Sequence, residues 1–342
     1  MVTIQMIADA CGISASTVSK ALNGSSTLRP STVARVRRVA EEMGYVPGDA
    51  DQPPKANHSY CFGIIYEEAM KYGLNHNYFA CILNSFTNSA ESFGYDVFLL
   101  GDQLAGRAMS YAEHARYRNC DGVLVISGMD SIRRIAEELR TLNRPVVCVD
   151  YRFEGFGSVI SDNEQGMRDL VNYVYSQGHR RIAFIHGDDS NVTRQRLDAF
   201  HQACRDLKLQ IPREYIVPGN FHGADRAAEM TRYLLNLSVP PTCILYPDDF
   251  SYIGCLNELT RRGLSVPYDI SAVGYDGAEI SQAFSPRLTT MRQSSEAMGS
   301  AAAKMLVRAA ESPQPVELPC ELIPGQLIPG ETVRCLNVAA QP

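Results

Sequence analysis

The chain has 342 residues, of which 45% are apolar, enough for two or three domains with sizeable cores. Its net charge of −6 excludes a generally adhesive nucleic-acid binder, and no apolar run is long enough to span a bilayer. No secretory leader opens it and its 10 cysteines form no CxxC or His/Cys spacing, so a cytoplasmic protein with reduced thiols and no metal, cofactor or membrane partner is expected.

Residues 1–46 predict three short helices. Thr3 stands where an N-cap hydroxyl would, and Ile4, Ile7 and Ala8 share a helical face. Gly12 suits a tight turn and Ser14 is a second N-cap. Val18 and Leu22 lie on the buried side of the next helix, which Asn23-Gly24 closes. Its outward face carries Ala15, Ser16, Ser19 and Lys20, short or polar residues able to approach base edges and phosphates. After Pro30 a third helix has Val33, Val36, Ala40 and Met43 as its stripe, with Arg35, Arg37 and Arg38 outside. Helices with this spacing also occur in bundles with no DNA role, so spacing alone leaves both readings open. The charge favours DNA: Lys20, Arg29, Arg35, Arg37 and Arg38 oppose only Asp9, Glu41 and Glu42, a basic head on an acidic body.

Residues 47–59, PGDADQPPKANHS, have linker composition. From Tyr60 onward, apolar runs (CFGIIY, YDVFLL, DGVLVIS, RPVVCVD, RRIAFIH, TCILYP, DISAVGYD) alternate with helical stretches, such as one near Tyr78 to Phe93. That pattern predicts parallel sheets covered on both faces, and its length predicts two lobes dividing near Val159 to Asp162. Ligands of open α/β sheets bind at the carboxyl ends of strands, where Ser127, Asp150, Asp248, Asp249 and Asp276 stand.

Several long motifs in this order resemble the LacI/GalR family of bacterial transcriptional regulators: TIQMIADACGISASTVSKALNG in the head, then VISDNEQGMRDLVNYVYSQGHRRIAFIHG, TRQRLDAFHQAC, VPYDISAVGYDG and SPRLTTMRQSSEAMGSAAAKML. The resemblance implies an all-α helix-turn-helix head (1–46) on an α/β, periplasmic-binding-protein-like core (60–340). The core's N-lobe would take about 60–160 and 291–322, and its C-lobe about 161–290 and 323–340. It further implies a homodimer, a pseudo-palindromic double-stranded operator, and a small-molecule effector, a carbohydrate, in the cleft. On matching motifs, Arg196 is the effector-clamping arginine, Asp276 its partner carboxylate on the facing strand end, and Phe221 the stacking ring. Asp248, Asp150 and Ser127 take further pocket positions. In the head, Ala15, Ser16 and Lys20 would read bases, with Thr3, Ser14, Thr17, Ser19 and Asn23 completing the DNA-facing set, largely on phosphates. Plainer readings stand beside these: Arg196 pairing with Asp188 or Asp189, Phe221 as core, Asp162-Asn163 as a helix cap, His179 as a helix end on backbone.

Two features depart from the family pattern. Where a hinge helix with a wedge leucine is usual, this chain has Asp51, Gln52 and Pro54, and prolines 53 and 54 break a helix that needs their amides. Lys20 replaces a frequent arginine and lacks its bidentate fork. A ligand-binding regulator with weakened DNA binding, and a sugar-binding protein of another role, are therefore the rival readings. No G-x-S-x-G, P-loop, HExxH or paired-cysteine motif suggests an enzyme, and the tail after Arg334 has no leucine heptads for a tetramer.

Overall fold

A computed structural model describes residues 4–22, 28–43, 58–66, 76–127 and 129–336. The chain divides into two compact units, residues 1–59 and 60–342.

The first unit contains α1 (Ile4–Cys11), α2 (Ala15–Leu22) and α3 (Pro30–Glu42). Their stripes meet in one small core of Ile7, Ala8, Cys11, Val18, Ala21, Val36 and Ala40. Gly12 joins α1 to α2 with φ +62°, a left-handed conformation that side chains with a Cβ adopt at a cost. Ser14 caps α2 by accepting from the Thr17 amide at 3.3 Å.

The second unit is built on two six-stranded sheets. The N-lobe sheet contains β1 (Cys61–Tyr66), β2 (Asp96–Leu100), β5 (Gly122–Ile126), β6 (Val146–Val149), β7 (Gly157–Ser161) and β13 (Cys320–Ile323). Its order is β13-β7-β6-β5-β1-β2 and every pairing is parallel. A two-residue-stranded hairpin, β3 (Gln103–Leu104) and β4 (Arg107–Ala108), follows β2. Successive strand residues alternate between two cores, as period-2 geometry requires. Phe62, Ile64, Leu124 and Ile126 pack under α4 (Asn77–Ser92) and α12 (Ser295–Glu311). Ile65, Val123 and Val125 face α5 (Tyr111–Tyr117) and α6 (Met129–Leu139). Gly299 lets α12 approach α4 closely: a Cβ there would collide with the Ile82 carbonyl oxygen.

The C-lobe sheet runs β14 (Gln326–Ile328), β12 (Thr289–Arg292), β11 (Ser271–Asp276), β10 (Cys243–Leu245), β8 (Ile182–His186) and β9 (Ile216–Pro218), parallel except for the β12–β14 pair. One face carries α7 (Asn163–Ser176) and α8 (Asn191–Asp206) over Ile182, Phe184 and Val273. The other carries α9 (Ala224–Leu235) and α10 (Tyr252–Arg262) over Ala183, Ile185 and Ile244. A short α11 (Glu279–Ala283) follows β11.

The chain crosses between the lobes three times: at Asp162 between β7 and α7, at Gln293–Ser294 between β12 and α12, and at Pro324–Gly325 between β13 and β14. Val159 to Ser161 therefore belong to an N-lobe strand. Among the described residues, no helix is long and apolar enough to cross a membrane. The 10 cysteines are free thiols, and Cys335 is exposed while most of the others are buried.

Leu124 sits on the central strand with no exposure. Leu124→Ala should cost about 2–5 kcal/mol of core stability, read as a lower urea midpoint of the full chain.

Candidate functional site

The cleft is built on side chains that leave the carboxyl ends of both sheets. Arg196 lies in the second turn of α8 and is 3% exposed. Its Nε donates to Asn163 Oδ1 at 2.8 Å and its Nη1 donates to the Pro247 carbonyl at 2.9 Å. The guanidinium carbon lies 3.5 Å from the centroid of the Tyr275 ring. A delocalised cation tolerates this aromatic face far better than an ammonium would. The surface pairing considered for Arg196 does not form. Arg194 takes Asp189 at 3.2 Å, and Asp188 accepts from Asn220 and from the Phe221 amide. Phe221 is half-buried, its ring resting on Gly187, where a Cβ would collide with it, and 5.9 Å from the Arg196 guanidinium.

Carboxylates surround that cation. Asp276 ends β11 with φ +101°, and its Oδ1 accepts from Gln293 Nε2 at 2.7 Å. Burial pushes its carboxyl up to about 7, against the pull of the Arg196 charge. Asp150 follows β6 with φ +61° and accepts from the Tyr78 hydroxyl of α4 at 2.9 Å. Its backbone carbonyl accepts from Asn191 of α8 at 3.4 Å, a contact between the lobes. Burial raises its carboxyl too, opposed by the hydrogen bond from Tyr78. Arg196 and Asp276 thus stand on one lobe, both within the C-lobe, and do not face each other across the cleft. The groups opposite are Asp150 and Tyr78. β11 belongs to the C-lobe sheet on which α8 packs.

Asp248 and Asp249 serve the loops. Asp248 accepts from the amides of His222 and Ser251, each at 2.7 Å, which fixes the turn carrying Phe221 and His222. Its two oxygens are turned to backbone and not to open space, unlike its expected place on the pocket wall. Asp249 accepts from Thr290 Oγ1 at 2.6 Å and from the Ala278 amide at 2.7 Å. Ser127 follows β5 and is buried. Among the described residues, no group of three potential metal ligands forms, Asp248 and Asp249 included. A cavity of about 180 Å³ remains, lined by Asn77 and Tyr78 from the N-lobe and by His222, Asp249, Phe250, Asp276, Ala278, Glu279 and Ile280 from the C-lobe.

In the head, Ser14, Ser16 and Lys20 are exposed, while Thr17 and Ser19 are half-buried. Ser16 and Lys20, four apart, share one outer face of α2. Ala15 departs from expectation. It is half-buried and packs on the helical core, because it lies three residues before buried Val18 on the same face. Thr3, Asn23 and residues 47–57 of the expected linker lie outside the described residues.

Comparison with known proteins follows this division. Residues 3–48 match the model for bacterial regulatory proteins of the lacI family, and residues 171–333 match a periplasmic binding protein-like domain. The chain is 29% identical over 318 residues to a Bacillus subtilis (strain 168) protein described as a probable HTH-type transcriptional repressor, ExuR, covering 92% of this chain and 93% of that one. The lac repressor dimer bound to operator and the anti-inducer ONPF has a TM-score of 0.76 at 25% identity, covering 97% of this chain and 99% of that one. A complex of the transcriptional regulator CelR with cellobiose has a TM-score of 0.67 at 25% identity, covering 97% and 100%.

The chain carries a lacI-family helix-turn-helix head and a periplasmic binding protein-like domain, and the curated relatives it matches include transcriptional repressors.

Several cleft residues escaped sequence reasoning. Tyr78, Asn163, His222, Phe250, Tyr275 and Gln293 all touch the site or hold it. Tyr275 lies so close to α7 that a Cβ on Gly166 would collide with its hydroxyl. Asp162 does cap α7 through the Gln165 amide, at 3.0 Å. Asn163 turns inward to Arg196. His179 bonds the Arg334 carbonyl and Thr242, the backbone-holding role expected.

The raised Asp276 carboxyl has a sign in stability. Below its ordinary value of 3.8 it is protonated in both states. From there up to about 7, the folded chain holds a proton that the unfolded chain releases, so stability falls as pH rises through that window. Asp150 and Asp249 act in the same direction. Asp276→Asn should therefore shrink, without abolishing, the drop in urea midpoint between about pH 5 and about pH 8.

Proposed function

We propose that this chain is a transcription regulator, a repressor, whose affinity for a pseudo-palindromic operator is set by a small neutral effector, a sugar, bound between the core lobes. The observation that carries this reading is the pairing, in one chain, of a lacI-family head with a cleft floored by a buried arginine among aspartates. Arginine donates to paired hydroxyls, carboxylates accept from them, and an aromatic ring covers the apolar face of a pyranose. Among the described residues the acid groups of the cleft outnumber its buried cation, which disfavours phosphorylated or carboxylate ligands. Arg196, Asp276, Asp150, Ser127 and Phe221 make up the effector site, with Asp248 holding its loop.

Ser16 and Lys20 would read base edges, with Ala15 offering at most a methyl edge. Thr3, Ser14, Thr17, Ser19 and Asn23 would set register on phosphates. The protein acts as a homodimer in the cytoplasm, because two half-sites need recognition helices about 34 Å apart. Closure of the cleft changes that spacing, and a coupling of about 1–3 kcal/mol makes a useful switch. The dimeric lac repressor on its operator and CelR with cellobiose support this reading by likeness. A second reading, a regulator with weakened DNA binding, is favoured by Asp49, Asp51, Pro53 and Pro54 in the linker sequence.

Selection of fragmented genomic DNA on the full-length protein, at moderate and low salt, separates the two. One enriched palindrome is expected; no enrichment at either salt supports the second reading. Lys20→Ala should relax preference at one base position of the enriched motif by about 1–3 kcal/mol. An unchanged motif removes Lys20 from base reading.

A further inference from the structure

Away from the cleft, the edge strand β13 carries a thiol with an arginine on it. Arg152, in the loop after β6, donates from Nη2 to Cys320 Sγ at 3.0 Å. Cys320 is half-exposed and opens β13, which pairs with β7 alone. Arg152 is itself exposed, so small solutes reach the sulfur and its cation together.

A second donor stands beside them. Cys320 lies in register with Ser158 of β7, which lies in register with Cys148 of β6. Register partners on parallel strands share a face, so all three side chains project to the α5–α6 side of the sheet, where Cys148 packs. Gly157 marks the opposite face: a Cβ there would collide with Met305 of α12. Ser158 is 1% exposed, and its Oγ has no hydrogen-bond partner among the described residues. A buried hydroxyl without a partner is costly, and an acceptor placed between Ser158 and Cys320 relieves that cost. An oxygen bonded to Cys320 Sγ is such an acceptor, and its negative charge also suits the Arg152 guanidinium.

Other thiols are placed differently. Burial pushes Cys120, Cys148, Cys204 and Cys255 up to about 12 and raises Cys243 as well, which keeps them protonated and inert. Cys11 is buried in the head. Cys81 is half-exposed but gives its hydrogen to Asn77 Oδ1 at 4.0 Å. Cys61 is half-exposed and Cys335 exposed.

We propose that Cys320 is an oxidation site for hydroperoxides, its sulfenate held between Arg152 and Ser158. The thiolate sulfur attacks one oxygen of hydrogen peroxide, the O–O bond breaks, and hydroxide leaves. The sulfenic acid proton passes to that hydroxide, giving sulfenate and water; sulfur has lost two electrons and the peroxide has gained them. The modified residue stands four positions before the third crossing, and the Ile323 carbonyl of the same strand accepts from the Asp162 amide of the first crossing at 2.9 Å. The inference is independent of what the cleft binds.

The test treats the full-length protein with hydrogen peroxide in the presence of dimedone, which traps sulfenic acid, and maps the adducts by peptide mass spectrometry. Cys320 should be labelled about tenfold faster than Cys61, Cys81 or Cys335, the scale of one hydrogen bond from a charged donor. Arg152→Gln, a change at an exposed side chain that leaves the urea midpoint in place, should remove that advantage. Ser158→Ala should slow labelling of Cys320 by about threefold, the scale of a neutral hydrogen bond. Equal labelling of the four accessible thiols, or a Cys320 rate unmoved by Arg152→Gln, overturns the inference. A rate unmoved by Ser158→Ala overturns the part given to Ser158.

Discussion

A buried cation organises the core. Arg196 is nearly inaccessible and lies on the face of Tyr275, with Asp276 and Asp150 contributing charge around it. Removing a guanidinium from water costs several kcal/mol unless hydrogen bonds and opposite charge replace the lost hydration. Here the Asn163 side chain and the Pro247 carbonyl supply the bonds, and the carboxylates supply the charge. The carboxylates need the arginine equally, since burial already raises Asp276, Asp150 and Asp249 toward their neutral forms. A ligand that offers hydroxyls to this nest replaces water on groups whose charge is otherwise poorly satisfied, so binding energy is available there.

The same bonds tie the nest to the segments that cross between the lobes. Asn163 is the first residue of α7, directly after the crossing at Asp162, and its amide also donates to the Ser161 carbonyl at the end of β7. Gln293 lies in the second crossing and holds Asp276 twice, by its side chain and by its backbone amide at 3.1 Å. Two of the three crossings are thus anchored to the two principal charged residues of the site. A change in what Arg196 or Asp276 binds bears on the crossing backbone directly, with no intervening shell. Under the proposed function this is a physical route for effector control: occupancy would alter the anchors, and the anchors adjoin the crossing backbone.

Much of this was legible in the sequence because apolar runs bounded by helical stretches leave little choice of class. CFGIIY, GVLVI, VVCV and SAVGYD are the interior strands of parallel sheets, buried on both faces. The short strands at or beside the sheet edges were not legible. TTMR, CELI and QLI carry polar side chains and only three or four residues, too few for a period to show. Strand β7, GSVIS, reads as a boundary because serines flank its two apolar residues, yet all five are buried. At the site, spacing and resemblance reached Arg196, Asp276, Asp150 and Phe221. They did not reach Tyr78, Gln293, His222 or Phe250, which meet the others only through long-range packing. Ala15 is partly drawn into the head core for a local reason, its place three residues before Val18.

The most direct test of Arg196 as the anchor of cleft and crossing is hydrogen exchange on the full-length protein without ligand, comparing the unmutated chain with Arg196→Leu. Leucine keeps apolar bulk but removes the charge and both donated bonds. Faster exchange is predicted at residues 162–166 and at 293–295, the two anchored crossings, as well as around Asp276. Faster exchange confined to α8, with both crossings unchanged, would contradict the account.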